Sequence, residues 1–408
     1  MTDTARQREA RRTALILAAA QAVIGSAAPI AISLGALAGS YLLDTDKSLA
    51  TAPVTGFNIG VALGALPAAA LIKAVGQKNG FQTGTAVTAL GGVVATLALF
   101  QESFWLFALG LLVIGVGGAF VQQFRFAAAD DAPPEFKARA ISFVLAGGVI
   151  TAILGPQIVI YTRTLFEPVM FAGSFASILA LAAVGAVLLS FLKVREHGPA
   201  DHEGQETPAR PLGEIVSQPR FIVGLGCGVG SYALMSFVMT GAPLAMVGCG
   251  FSTDDATLGI SWHVMAMFGP SFFTGHLIHR FGVERIVALG LLLLIGCAAV
   301  ALSGIALWQF WTALILLGLG WNFGFIGATA MVSQTYRPSE KGKIQGMHDF
   351  ILFGSVAFAS LMSGAVYNAW GWEMLNWVVF PVTALCLAAL GGLVLFGRKR
   401  SIPYRGRA

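Results

Sequence analysis

Hydrophobic residues run along this chain in blocks of twenty or more, separated by short segments that hold almost all of its charge. A helix needs about 20 apolar residues to cross the hydrocarbon core of a bilayer. Twelve stretches reach that length: 13–43, 50–73, 80–100, 103–127, 138–162, 165–193, 220–247, 256–279, 285–305, 307–335, 342–369 and 372–397. The first is too long for a secretory signal and lacks a small-residue cleavage site, so it reads as a span. The polar stretch 194–219 is charged, rich in Pro and Gly and without apolar period, which predicts a linker between the sixth and seventh spans. The pattern predicts an all-α membrane protein with twelve transmembrane helices in two pseudo-symmetric six-helix bundles. Its parts are a tail 1–12, a bundle 13–193, the linker 194–219, a second bundle 220–397 and a basic tail 398–408.

Composition agrees, because 56% of the 408 residues are hydrophobic and 11% charged, against roughly 25% charged in soluble domains. Mean hydropathy is +0.77, and water would meet so apolar a chain at every face. The net charge of +5 does not point to nucleic acid, since the basic residues are spread over many short loops. With both termini in the cytoplasm, 23 of the 25 Lys and Arg fall inside, and Lys47 and Arg163 remain outside. So lopsided a split supports that orientation and an even helix count, in a bacterial inner membrane. The four cysteines stand singly in apolar runs and read as small core hydrophobes, without metal or disulfide spacing.

The two halves repeat. The fourth stretch and its loop carry Gly115-Val-Gly-Gly, then Pro134, Lys137 and Arg139; the tenth carries Gly318-Leu-Gly, then Pro338, Lys341 and Lys343. Paired six-helix repeats are a transporter architecture, with the solute site near the midplane between them.

These residues resemble the major facilitator superfamily. Its signature loop after the second helix of each half, G-x-x-x-D-R/K-x-G-R-R/K, is similar to Gly275-His-Leu-Ile-His279-Arg280-Phe-Gly282-Val-Glu-Arg285 in the second half. The first half departs from it, with Ala69 for the first Gly, Lys73 at the Asp position, and Gly76 and Lys78 kept. Gly147-Gly148 and Gly155-Pro156 in the fifth stretch resemble part of a Gly-Pro motif of drug/proton antiporters, although Ile158-Val159 replace its later glycines. Leu111 stands where many proton-coupled members have Arg. The resemblance implies cavity helices one, four, seven and ten.

On those helices the chain offers Gln21 and Ser26, then Gln122, Gln123 and Arg125, then Tyr232, Ser236, Met239 and Pro243 on one face, then Trp321, Asn322 and Phe325. Aromatics, Met and neutral amides suit a flat, weakly charged organic molecule with hydrogen-bonding edges. The same stripe is also what ordinary helix packing looks like. Charge within a bilayer costs about 2.5–3.5 kcal/mol or more, so each intramembrane ionisable group is a candidate for function. Asp349 is the one acidic residue of 20 well inside a span, and it reads as a latch or a proton carrier. Arg125 is a cavity cation or a side chain snorkelling to the surface. His263 is a packing residue, a cargo contact or a proton carrier. Lys73, facing the eleventh helix across the seam, is the expected partner of Asp349 in a charge-reversed latch, with Arg125 competing, and Arg280 belongs to the same gating surface.

No Walker loop, HExxH or G-x-S-x-G appears, and Gly224-Leu-Gly-Cys-Gly opens an apolar helix with no strand before it. An enzyme is therefore not expected, nor a cofactor, nor a metal. The favoured reading is a monomeric secondary transporter that moves a small amphipathic, aromatic or neutral solute with protons by alternating access. The alternative is an uncoupled importer of a neutral aromatic nutrient such as a flavin-type vitamin, and a more distant one is a transporter-like sensor.

Overall fold

The computed structural model describes residues 3–130, 132–133, 136–192 and 210–400, so the expected linker is outside the described residues up to 209, as are Pro134 and the last eight residues of the tail. In chain order the helices are α1 (Asp3–Ile24), α2 (Ala27–Tyr41), α3 (Ala52–Phe100), α4 (Phe104–Gln122), α5 (Phe124–Asp130), α6 (Lys137–Thr162), α7 (Ala172–Ser190) and α8 (Leu212–Val216). They continue as α9 (Pro219–Gly248), α10 (Thr253–Phe268), α11 (Ser271–Phe281), α12 (Val283–Leu302), α13 (Leu307–Ser333), α14 (Lys341–Trp377) and α15 (Val379–Arg400). No strand occurs among the described residues. That follows from the solvent: in hydrocarbon each backbone N–H and C=O must be satisfied inside its own segment, which a helix does.

Nine continuous apolar helical stretches among the described residues are long enough to cross a membrane. Two of them fold back on themselves, α3 at Gly76 and the stretch through α14 and α15 at Gly371, and α10 with α11 forms a further span, giving twelve. Gly76 and Gly282 occupy equivalent loops of the two halves, and both have positive φ (+84 and +90) with extended ψ. L side chains rarely adopt that conformation, so the glycines kept in the signature loop are the residues that let it turn.

The spans depart from expectation in two places. The sixth is shorter, α7 beginning at Ala172, because residues 165–171 form turns ending at Phe171 with φ +68. At the other end, residues expected as a tail are helical from Asp3, with Ala10, Ala14 and Leu17 buried on one face of α1.

The largest apolar core sits among α9, α10, α12, α13, α14 and α15, and two others sit among α1 to α7. At one end the halves are tied together. Arg163 at the end of α6 grips Asp254 of α10 with two bonds, Nε–Oδ1 at 2.8 Å and Nη2–Oδ2 at 3.0 Å. Ser261 Oγ donates to the Ala152 carbonyl (2.6 Å), and Thr51 Oγ1 accepts from the Gly364 N–H (3.2 Å). At the opposite end Gln122, Lys73 and Asp349 are exposed, and Gly346 and Gly354 of α14 face open space. The molecule is closed at the Arg163 end and open at the Asp349 end.

Beside the open end, Arg210 anchors the chain entering the second half. Its guanidinium donates to both oxygens of Glu340 (2.8 and 2.9 Å) and to the Thr335 carbonyl (3.0 Å). The side-chain hydrogen bonds from Arg210, helped by the Arg337 and Arg210 backbone N–H groups, hold the Glu340 carboxyl well below the usual carboxylate range. A depressed folded pKa contributes stability that is complete above the unfolded value of about 4.3 and fades as pH falls toward the folded one. Glu340→Gln is expected to lower the melting temperature at pH 7, and the gap to the parent should shrink as pH drops below about 4. Melting curves across pH in detergent check this; a gap independent of pH would remove the role of the ionised carboxylate.

Candidate functional site

A cavity opens between the halves, with about 1050 Å³ of empty space including its open mouth. The bend between α1 and α2 at Gly25 and Ser26 passes along it, as do Phe57 and Asn58 of α3, Gln122 of α4 and Thr151 of α6. From the second half come Tyr232, Met235, Ser236 and Met239 of α9, Val264, Met267 and Phe268 of α10, and Phe353 and Val356 of α14. Among the described residues no Asp, Glu, Lys, Arg or His lines it.

Tyr232 is the centre of its aromatic wall. Its ring lies edge-on to Trp321 (5.3 Å), Phe325 (5.0 Å) and Phe353 (6.0 Å). Trp321 in turn stacks on Phe325 at 5.2 Å with an interplanar angle of 20°. Such contacts fix ring orientation, since aromatic quadrupoles prefer edge-to-face or offset geometry. The polar side of the cavity is made of amides and hydroxyls. Thr151 Oγ1 donates to the Gln21 backbone oxygen (2.8 Å), which locks α6 against α1 and leaves the Gln21 amide for the cavity wall. Asn58 Nδ2 is buried with no hydrogen-bond partner among the described residues. An unsatisfied buried donor is costly, so a group this placed calls for an acceptor.

Of the residues singled out in the sequence, the structure puts Gln21, Gln122, Tyr232, Ser236 and Met239 in the wall. Trp321 and Phe325 lie one layer back, behind Tyr232, so helix ten supports the wall rather than forming it. Asn322 is fully buried elsewhere: its Nδ2 donates to the Met267 carbonyl (2.6 Å) and to Ser271 Oγ (2.7 Å), and its Oδ1 accepts from Thr274 Oγ1 (2.6 Å). The reason is Pro270, which breaks the eighth span between α10 and α11 and leaves carbonyls without their usual N–H. His263, read as a packing residue, a cargo contact or a proton carrier, is fully buried against α13 with Nδ1 at 2.9 Å from the Leu314 carbonyl.

Gln123 caps α4 outside the lining. Arg125 is also outside it, stacked over Phe126 at 4.8 Å and within Coulombic range of both Tyr232 and Asp349. Asp349 is about half exposed and meets His348 Nδ1 at 3.0 Å. Lys73 is exposed and in no ion pair with Asp349, and Arg280 is exposed beside Phe281.

Sequence reasoning missed Phe57, Asn58, Thr151, Phe268 and Phe353, because helices two, five and eleven were not weighed as wall and helix eight was weighed only at His263. Asn58 had a visible signal, an amide in the middle of an apolar span.

With this geometry in hand, the chain can be set beside known proteins. The family described as Major Facilitator Superfamily matches residues 13–347 and, in a second match, 270–407. Riboflavin transporter RfnT of Brucella anthropi is 52% identical over 393 residues, covering 96% of this chain and 97% of that protein. The uncharacterized MFS-type transporter YdeG of Bacillus subtilis is 30% identical over 372 residues, 87% of this chain and 86% of its own. Among solved structures, the human organic anion transporter MFSD10 (TETRAN) aligns with a TM-score of 0.66 at 17% identity, covering 93% of this chain and 99% of that one. The nucleoside transporter NupG aligns with 0.63 at 13% identity, over 94% and 98%. At such identities these two likenesses bear on the fold alone.

The two asparagines should separate cleanly. Asn322→Ala removes three hydrogen bonds from a helix break and is expected to destabilise the protein by about 2 kcal/mol. Asn58→Ala removes a donor that has no partner and should leave the melting temperature within about a degree of the parent. Thermal unfolding of both purified variants is the check; a large loss in Asn58→Ala would mean that its amide is structural.

Proposed function

This chain belongs to the major facilitator superfamily, and we propose that it carries riboflavin across its membrane as an uncoupled facilitator. The observation that carries the reading is its near full-length kinship with a riboflavin transporter. The cavity supports it chemically. Riboflavin is a neutral, flat tricycle with a hydrogen-bonding pyrimidinedione edge and a polyol tail. Rings at Phe57, Tyr232, Phe268 and Phe353 offer faces and edges to the tricycle, and the amides of Gln21, Asn58 and Gln122 offer partners to its edge and tail. An uncharged lining suits a neutral cargo and penalises a phosphorylated one, whose dianion would be desolvated without a cation.

The absence of Asp, Glu, Lys, Arg and His from the lining, among the described residues, favours facilitation over proton coupling. His263 packs away from the cavity, and Asp349 at the mouth is left as the candidate for a gate. We place both termini in the cytoplasm on the distribution of Lys and Arg, which makes the open end cytoplasmic. Closing that end would bring Asp349 of α14 toward Arg125 and Lys73 of the first half, so an ion pair there would hold the outward-open state.

Two measurements test the reading. Purified parent should quench flavin fluorescence on binding riboflavin and should catalyse its flux into proteoliposomes, with no drive from an imposed pH gradient. Tyr232→Ala should weaken binding roughly tenfold and Asn58→Ala roughly fivefold, and riboflavin 5′-phosphate should bind at least about tenfold more weakly than riboflavin. Parent protein without riboflavin binding or flux would overturn the cargo; accumulation driven by the pH gradient would restore proton coupling.

The gate has its own test. Asp349→Lys should abolish transport while riboflavin binding persists. Adding Lys73→Asp or Arg125→Asp should recover part of the flux for whichever residue is the partner. No recovery with either would remove the gate.

A further inference from the structure

Away from the cavity, the first turns of α1 carry Arg8, Arg11 and Arg12, all exposed. Their spacing of i, i+3 and i+4 puts them on one face, opposite the buried Ala10, Ala14 and Leu17. No ion pair involves these three arginines among the described residues, while Glu9 between them has a partner of its own. Beside them lies a shallow, open groove lined by Leu15, Leu188 and Phe191, of which Leu15 is 47% and Phe191 56% exposed. Lys78 Nζ donates to the Ser190 carbonyl (2.6 Å) at the end of α7, next to Phe191 in the chain.

We propose that this groove is a binding site for an anionic phospholipid, its acyl chains lying against Leu15, Leu188 and Phe191 and its phosphate held by Arg8, Arg11 and Arg12. Arginine is suited to this, because its planar fork meets phosphate oxygens through two parallel hydrogen bonds. A side chain that merely snorkels needs only water, whereas three guanidinium groups gathered beside a shallow apolar groove match a headgroup and its tails together. A zwitterionic lipid offers the same chains but brings its own cation toward the arginines, so selectivity should lie in the headgroup charge. The site is independent of the cargo, and its failure would leave the riboflavin reading untouched.

Native mass spectrometry of the purified full-length protein, titrated with phosphatidylglycerol or phosphatidylcholine, measures the preference. About fivefold per basic side chain near a phosphate gives a preference of roughly 100-fold for the anionic lipid across the three arginines. The combined change Arg8→Gln, Arg11→Gln and Arg12→Gln should reduce it to a few-fold, with a parental melting temperature as evidence that the variant is folded. If the triple variant cannot be purified, Phe191→Glu serves in its place, since it sets a carboxylate in the groove beside the arginines and should cut the preference by at least about tenfold. Equal affinity for both lipids in the parent, or full preference in either folded variant, would overturn the proposal. So would competition by millimolar inorganic phosphate, which would show a phosphate site with no need of a lipid.

Discussion

A backbone in hydrocarbon has nowhere to send an unpaired N–H or C=O, and the structure is arranged around that constraint. Helices satisfy it by themselves, so attention falls on the places where a helix breaks. At the α1–α2 bend the ladder continues through Gly25 N–H to Gln21 O (3.0 Å) and Ser26 N–H to Val23 O (3.2 Å), and Ser26 Oγ bonds back to the Ala22 carbonyl (2.6 Å). At the α10–α11 break, Pro270 contributes no donor, and Asn322 reaches across from α13 to serve the Met267 carbonyl. The first break lies along the cavity and the second is covered by a neighbouring helix, the two settings in which irregular backbone is tolerated at membrane depth. The cavity and the helix breaks thus have one origin.

Close packing follows from the same solvent. Lipid tails are as apolar as leucine, so helices associate by fit, and small residues set how near they come. A Cβ at Gly115 of α4 would collide with the Phe57 carbonyl of α3, and one at Gly318 of α13 would collide with the His263 carbonyl of α10. These are the fourth span against the second and the tenth against the eighth, the same contact made once in each half. The repeat visible as glycine-lined helices in the sequence is therefore a repeat of backbone contact. It also explains His263: the backbone at that residue is pressed onto α13, which leaves its ring no route to the cavity.

Spans, their number and the turning glycines were legible because each depends on local composition or on φ at one residue. Cavity membership was only partly legible. Periodicity says which residues share a face, as with Tyr232, Ser236, Met239 and Pro243 on α9, and the structure keeps the first three together in the wall while Pro243 lies outside it. It does not say how a helix is rotated against its neighbours, or which side chain stands in front of another. Trp321 was therefore read as wall and is backing, and Asn322 was read as a cargo contact although a proline one helix away had claimed its amide. Asn58 shows the converse, an amide visible in an apolar span whose Nδ2 finds no partner among the described residues, a lack that only the neighbours reveal.

Tyr232 draws these levels together. Its ring is the surface that a flat cargo would meet, yet its orientation is set by Trp321 and Phe325 stacked behind it and Phe353 beside it. Trp321 belongs to α13 and Phe353 to α14, so the wall residue is held by two helices that, among the described residues, put no charged side chain in the lining. Arg125, on the other half, is within Coulombic range of both Tyr232 and Asp349. The rings that would grip a cargo and the charges that would shut the mouth are therefore neighbours. On the proposed reading, a cargo stacked on Tyr232 would lie where it could alter the setting of Arg125 relative to Asp349, and differential contact of that kind is what a bound solute needs in order to shift the balance between open and closed forms.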